Sequence, residues 1–342
     1  MPRQSARNLG VRPTREDVAK RANISGTTVS RVLSGRLDFQ ISPEVRERVL
    51  QAAQELGYTP NAAAKTLRSG RADLIGFWMC LQYSRYRSQV VDEMQRILFD
   101  EGLSMAVSDA DQEYLFHHTL DRALRLQVDG IIAFDGFAAA AAFAQRHKHS
   151  KVHVPFVSMG AYWTEAYSYV AVDLKAGAIE ATEHLLNTGR RRISYLAPGT
   201  SGLLTDGDRY EGFRDVMVRE GLEAETIDIS ASTIDAIEDA LKERKGRLPD
   251  AILCVNDDLA MDAVLALERL GLQAGKDVAL VGFNGTEGTE RGACPITTVR
   301  QPIEEMCATA YRFLKAQIDQ PGSPPQQRTL KPTLIVRQSS LP

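Results

Sequence analysis

An α/β fold is predicted for most of this 342-residue chain, preceded by a small all-helical head. Three observations carry that prediction. From Leu74 onward, short apolar runs alternate with longer amphipathic segments, the rhythm of buried parallel strands connected by helices. Residues 1–71 lack such runs and carry helix caps and turn residues instead. The remaining length exceeds what one core organises, so the body is expected to divide into two lobes, each a doubly wound parallel sheet.

Within the head, Glu16–Leu33 reads as two short helices with a tight turn between them. Thr14 caps the first helix with Asp17 three positions later, and Val18, Ala19, Ala22, Ile24, Val29, Val32 and Leu33 supply the apolar positions that let the helices pack crosswise. Such a helix-turn-helix leaves Gly26, Thr27, Ser30 and Arg31 on or beside the outward face of its second helix. An Arg placed there donates two hydrogen bonds to guanine in the major groove. A third helix starts at Ser42-Pro43-Glu44, with a cap, a proline in the first turn and an acid, and runs through Val45, Val49, Ala53 and Leu56 to Gly57. The alanine-rich run Tyr58–Gly70 follows, helical in composition but too short to hold by itself in water, where isolated helices need about 12 to 15 residues.

In the body the expected strands are Leu74–Met79, Ser104–Val107, Gly130–Phe134, Pro155–Met159, Arg192–Leu196, Ala251–Val255 and Val278–Phe283. The expected helices are Gln89–Glu101, Leu115–Leu126, Ala176–Thr188, Arg209–Glu220 and Leu259–Leu270. Ligands of such sheets bind at the carboxyl ends of the strands.

Charge divides the chain in the same place. Residues 1–71 hold 13 of the 41 Lys and Arg and 6 of the 44 Asp and Glu, so a basic head precedes an acidic body, an asymmetry that the net charge of −3 conceals. A basic head neutralises phosphates and makes binding salt-dependent. Arg3, Arg7 and Arg12 lie in a leader, residues 1–13, read as a tail.

Other classes find little support. No Gly-rich loop of phosphate-binding spacing follows a strand, no nucleophile elbow is present, and Gly199–Gly202 reads as a cleft wall. His147, His149 and His153 lie beside Lys148 and Lys151 and read as a solvated turn, so neither a metal nor a cofactor is expected. Cys80, Cys254, Cys294 and Cys307 have no paired spacing and read as reduced thiols of a cytoplasmic protein. No run approaches the roughly 20 apolar residues of a membrane span.

The motifs of the head occur together as Asp17-Val18-Ala19 with Ala22, Thr28-Val29-Ser30-Arg31-Val32, Glu55-Leu56-Gly57-Tyr58 with Pro60-Asn61, and Leu67-Arg68-Ser69-Gly70. In that order and spacing they resemble the LacI/GalR family of bacterial transcription regulators. The resemblance extends over the body through Val172-Asp173, Ala181–Leu185, Gly189–Ile193, Asn256-Asp257, Gly282-Phe283 and Thr297–Pro302. It implies a headpiece at 14–59, a hinge helix at 60–71 and a periplasmic-binding-protein-like effector and dimerisation domain at 72–342. Its first lobe would comprise 72–173 and 302–323, with its last helix at Ile303–Gln320, and its second 174–301 and 324–342, with its last strand at Thr333–Val336 and crossings near Asp173–Lys175, Gln301-Pro302 and Ser323–Pro325.

The resemblance also implies DNA contacts from Thr14, Ser25, Gly26, Thr27, Thr28, Ser30 and Arg31, and from Asn61, Ala64, Leu67 and Arg68 of the hinge. Leu67 takes the place of a wedge that opens the minor groove at a central step, an unstacking that costs a few kcal/mol and is offset by wider contact on bent DNA. The effector residues it implies are Tyr86, Arg87, Phe134, Gly160, Arg209, Asn256, Asn284 and Gln301. Arg209 and Asn256 match the family's pattern well. Asn284 and Gly160 stand where sugar-binding members carry acids, and Gln82–Ser88 replaces the usual Asn-Pro-Phe-Phe. Two acids fewer, with Arg85 and Arg87 added, favour an anionic ligand held by Arg209, with Tyr86, Trp78 or Trp163 stacking on it. If the two arginines instead point to solvent from a loop, a neutral sugar fits.

The expected molecule is therefore a cytoplasmic homodimeric repressor. It binds double-stranded operator DNA under control of a sugar or sugar-derived acid and has no enzymatic activity, whether the effector releases DNA or tightens it. The alternative from another class is a cytosolic small-molecule binding protein whose headpiece no longer reads sequence.

Overall fold

The structure, a computed structural model, describes residues 13–33, 41–59, 70–80, 84–109, 127–135, 143, 154–160, 167–199, 207–244 and 246–341. The chain divides into two compact units, 1–72 and 73–342. In the first, α1 (Arg15–Ala22), α2 (Gly26–Leu33) and α3 (Pro43–Leu56) enclose a core of Val18, Ala19, Ala22, Val29, Val32, Val49, Ala52 and Ala53. Thr14 and Asp17 form a capping box at the start of α1, and Asn23 ends the helix in the left-handed region at φ 54°. At α3 the Ser42 hydroxyl accepts the Val45 N–H, Pro43 occupies the first turn, and Gly57 closes the helix at φ 63°.

The second unit opens with β1 (Leu74–Met79), α4 (Arg85–Asp100), β2 (Ser104–Asp109), β3 (Gly130–Phe134), β4 (Phe156–Gly160) and β5 (Ser168–Val172). It continues with α5 (Leu174–Asn187), β6 (Ile193–Pro198), α6 (Asp208–Arg219), β7 (Glu225–Ile229), α7 (Ile234–Lys242), β8 (Ala251–Cys254), α8 (Asp257–Arg269), β9 (Ala279–Asn284) and β10 (Thr297–Arg300). The last elements are α9 (Ile303–Asp319), β11 (Gln327–Leu330), β12 (Thr333–Ile335) and a short 3-10 turn, Gln338–Ser340.

These strands form two six-stranded sheets, ordered β11-β5-β4-β3-β1-β2 and β12-β10-β9-β8-β6-β7. Every pairing is parallel except that of β12 with β10. The pleat sorts the first sheet into two buried faces: Ile75, Phe77, Ile132, Phe134, Val157 and Met159 join the large core with α4 and α9, whereas Trp78, Ile131, Ala133 and Phe156 pack on Phe143. In the second lobe α5 packs on α6 and α7 on α8. The α5–α6 approach is close because residue 212 is glycine; a Cβ there would lie 2.5 Å from the Lys175 carbonyl oxygen.

The chain passes from the first sheet to the second between β5 and α5 and returns between β10 and α9. The third passage departs from the expected one. β11 pairs with β5, Gln327 against Tyr169 through Leu330 against Val172, so residues up to 330 belong to the first lobe and the passage falls at Lys331-Pro332, not near Ser323–Pro325. The polar sequence Gln-Arg-Thr-Leu, exposed at three of four positions on a sheet edge, gives no apolar signal for this strand. β5, β7 and α7 likewise join the expected elements. α4 starts at Arg85, four residues earlier than expected, which turns the Arg85–Ser88 segment from loop into helix. The expected helix Leu115–Leu126, hinge residues 60–69 and the His147–His153 cluster lie outside the described residues.

Candidate DNA-reading helix and inter-lobe site

In the head, the residues expected to meet DNA divide by what their side chains already do. The Thr14 hydroxyl is bonded to Asp17, donating to Oδ2 at 2.7 Å and accepting the Asp17 N–H at 3.3 Å. Its hydrogen bonds hold the Asp17 carboxyl below its ordinary pKa. Ser25 likewise accepts the Thr28 N–H at 3.2 Å, and the two hydroxyls lie 2.9 Å apart, so both fix the start of α2. A Cβ on Gly26 would meet only the Arg15 side chain, at 3.4 Å from Nε, an ordinary van der Waals contact. Thr27 and Arg31, four residues apart and both exposed, share one helix face with half-buried Ser30, while Val29 and Val32 face the core. Asn61, Ala64, Leu67 and Arg68 lie outside the described residues.

In the body, four side chains from both lobes form a hydrogen-bonded row at the carboxyl ends of the sheets. Tyr86, buried in the first turns of α4, donates its hydroxyl to Gln301 Oε1 at 2.9 Å. Gln301, at the second crossing, donates from Nε2 to Asn284 Oδ1 at 2.8 Å, and the Arg209 guanidinium donates to the same oxygen at 3.2 Å. Arg209 stacks over the Phe283 ring at 4.6 Å and its Nε is buried without a hydrogen-bond partner among the described residues, leaving a donor unsatisfied. Asn284 ends β9 at φ 111°, a conformation rare for a side-chain-bearing residue. Behind Tyr86, Phe134 is fully buried, edge-on to the phenol at 5.8 Å and stacked on Phe77.

Other expected residues are placed differently. Asn256 caps α8, its Oδ1 accepting the Leu259 N–H at 2.9 Å, which leaves its amide protons as the group it offers. Arg87 is half-buried on α4. Arg85, on the helix and largely exposed, forms an ion pair with Asp258 of α8 in the other lobe. Trp78 does not face the inter-lobe row, because it is fully buried on the opposite face of its sheet, edge-on to Phe143 and Phe156. The alternation of β1 decides this, since Phe77 and Met79 take the face towards α4. Trp163 lies outside the described residues.

Sequence reasoning missed Asp258 and placed Asp135 only at the cleft edge, at the end of its strand. Asp258 is the inter-lobe partner of Arg85. Asp135, one residue beyond β3 and half-buried, occupies the space a side chain on Gly160 would need, since a Cβ there would lie 2.3 Å from Asp135 Oδ1. The signal was the pairing of an acid at one strand end with a glycine at the next. Burial raises the Tyr86 phenol well above its ordinary pKa; the Asp135 carboxylate adds to that rise and Arg209 opposes it, so both charges act at the phenol. Among the described residues no group of His, Cys, Asp and Glu is arranged to hold a metal. Cys80, Cys254 and Cys307 are buried and unbridged, and Cys294 is half-buried. No described helix is long and apolar enough to cross a membrane.

Comparison with known proteins adds to this geometry. A model of the lacI family of bacterial regulatory proteins matches residues 14–61, and a model of the periplasmic binding protein-like domain matches 182–340. The chain is 30% identical to the ribose operon repressor of Halalkalibacterium halodurans over 333 residues, covering 96% of this chain and 97% of that one. It is 31% identical over 359 residues to the HTH-type transcriptional regulator CelR of Thermobifida fusca, covering 96% and 98%. Among solved structures, a complex of the transcriptional regulator CelR with cellobiose superposes with a TM-score of 0.65 at 27% identity, covering 96% of this chain and all of that one. The lac repressor dimer bound to operator and an anti-inducer superposes at 0.78 with 23% identity, covering 96% and 99%, a likeness of fold. With its capped helix-turn-helix, two parallel sheets crossed three times and full-length relatives at this identity, the chain belongs to the LacI family of bacterial transcriptional regulators.

Proposed function

We propose that this protein is a cytoplasmic homodimeric repressor that places the Thr27, Ser30 and Arg31 face of α2 in the major groove of each operator half-site. Asn61, Ala64, Leu67 and Arg68 of the hinge would bind the minor groove between them, with Leu67 as the wedge. A small-molecule effector, a sugar or sugar-derived acid, would bind at the inter-lobe row of Tyr86, Gln301, Asn284 and Arg209, bounded by Arg87, Phe134, Gly160 and Asn256. Relatives are named for a ribose operon and solved with cellobiose, which supports a carbohydrate class. The protein acts by binding and not by catalysis. The observation that carries the effector reading is the row itself: four polar side chains drawn from both lobes and their crossing, with the Arg209 Nε left for a further acceptor.

Coupling follows from connectivity. The hinge runs directly into β1 of the first lobe, and the row ties that lobe to the second, so a ligand that alters their relative rotation alters the hinge pair. Ligand and DNA then influence each other by equal factors. The direct test is retention of sheared genomic DNA by the purified protein at moderate salt, followed by sequencing. A few enriched palindromic sites are expected; uniform retention sinks the operator reading. On such a site, Leu67→Ala should weaken binding at least tenfold without altering the unfolding of the body. Arg209→Ala should leave ligand-free DNA binding intact and abolish the effector's influence, and a retained response would remove Arg209 from the site.

A further inference from the structure

We infer that Arg15 is a base-reading residue of the head, a guanidinium that α1 brings to the groove face of α2 and that selects a guanine in each operator half-site. The inference rests on the proposed placement of α2 in the major groove and adds a second reading arginine to it. Arg15 is the first residue of α1 and Gly26 the first of α2. The two helix starts meet: a Cβ on Gly26 would lie 3.4 Å from Arg15 Nε and 3.8 Å from its Cζ, with Glu16 Oε1 also at 3.8 Å. Gly26 lies four residues before Ser30, on the helix face that also presents Thr27 and Arg31. It brings no functional group of its own to that face, and the group standing beside it is the Arg15 guanidinium. The amino-terminal residues of a recognition helix are the ones that meet base edges, and the Arg15 side chain is 48% exposed there.

The pairing with Glu16 sets which edge of the guanidinium is offered. Arg15 donates from Nε at 3.2 Å and from Nη2 at 2.6 Å, both to Glu16 Oε1. These bonds occupy the side-on edge and leave the Nη1, Nη2 edge, where no further hydrogen bond is made among the described residues. That edge carries two parallel N–H donors, which match the O6 and N7 acceptors of guanine in the major groove. The bond from Arg15 also holds the Glu16 carboxyl below its ordinary pKa, so both partners are ionised at neutral pH and the pair carries no net charge. A neutral pair suits a base better than a phosphate, because it releases few counterions and its carboxylate repels phosphate oxygens. At a base edge the acid instead holds the fork in one orientation. The backbone beneath is fixed as well, by the Thr14 and Asp17 capping box at α1 and by Ser25 with Thr28 at α2.

The test uses the full chain and an operator that the natural protein selects from a randomised DNA pool. Every base pair of the half-site is changed in turn, symmetrically in both halves, and binding is measured by fluorescence anisotropy over a range of salt. The natural protein is compared with Arg15→Ala, Arg15→Gln, Glu16→Ala and Arg31→Ala, with thermal unfolding of each as the folding control. The expected result is that Arg15→Ala loses the preference for guanine at one position, about fivefold or more, and keeps the preferences elsewhere, including the one that Arg31→Ala relaxes. Arg15→Gln, which still has a donor for Glu16, should lose the same guanine preference and keeps the test readable if the alanine variant folds poorly. Glu16→Ala leaves the arginine charge uncompensated, so its binding should become more salt-dependent while the guanine preference weakens; no change in either removes the positioning role from Glu16. A loss in both Arg15 variants that is equal for all sequences would assign Arg15 to a phosphate and overturn the inference, as would unchanged preferences in both. If Arg31→Ala also leaves every preference unchanged, the placement of α2 in the groove fails as well; if it relaxes one, that placement stands and only the reading of Arg15 falls.

Discussion

At the residue scale, the buried carboxyl of Asp257 shows how one side chain holds the inter-lobe edge of the second lobe. Its Oδ1 accepts the Thr298 hydroxyl at 2.6 Å, and its Oδ2 accepts the Thr286 N–H at 2.7 Å and hydroxyl at 3.0 Å, tying the start of α8 to the turn that follows Asn284. Burial nevertheless outweighs these bonds and raises its pKa from 3.8 to about 6. The folded state therefore holds the proton more tightly than the unfolded chain. The stabilisation this gives is complete below about pH 4 and lost as pH rises through 6, a fall of about 3 kcal/mol. Urea unfolding across that range should show the natural protein losing stability relative to Asp257→Asn by that order towards neutral pH. A natural protein that instead gains on the variant as pH rises would mean the ionised form is the one the fold favours. The sequence presented Asp257 only as the neighbour of Asn256 in a landmark; that Asp257 is interior was set by β9 and β10, whose Gly282 and Thr298 close over it.

At the scale of elements, the capped helices of the head were legible because capping is local. Thr14 and Asp17 satisfy N–H groups within their own turn, and the same applies to Ser42 at α3. Thr14→Ala should cost about 1 kcal/mol of headpiece stability and speed hydrogen exchange at residues 15–18, with Thr14→Asn restoring both. Equal exchange in the alanine variant would show that packing alone holds α1. Central strands such as β3 and β4, buried at every position, were equally legible from their apolar runs. Of the four edge strands, β2 and β12 were expected and the other two were not. β7 and β11 are half paired and half solvated, so their residues answer to only one neighbour and carry no continuous apolar signature.

At the scale of the whole molecule, the Arg85–Asp258 ion pair links α4 of one lobe to α8 of the other. The Arg85 side chain is 46% exposed and that of Asp258 32%, so solvent screens the pair and its contribution is about 0–1 kcal/mol. That is enough to shift a balanced lobe equilibrium by up to about fivefold. Small-angle scattering of the ligand-free protein should therefore respond to salt in the natural protein and not in Asp258→Ala, and an identical salt response in both would show that the pair does not bias the lobes. The charge division acts at the same scale: a basic head and acidic body direct polyanions to the head.

The sequence by itself determined the helix-turn-helix, the α/β rhythm and the division into head and body, since caps, apolar periodicity and charge are properties of contiguous residues. It also supplied Tyr86, Arg209, Asn284 and Gln301 as members of one site through family resemblance. Tertiary structure alone decided that Trp78 faces away from that site, that Arg85 reaches across to Asp258, that β11 returns to the first sheet and that Asp135 fills the space over Gly160. Each of these depends on which strand lies beside which, and on the face a pleat presents, and such relations are fixed between residues far apart in the chain.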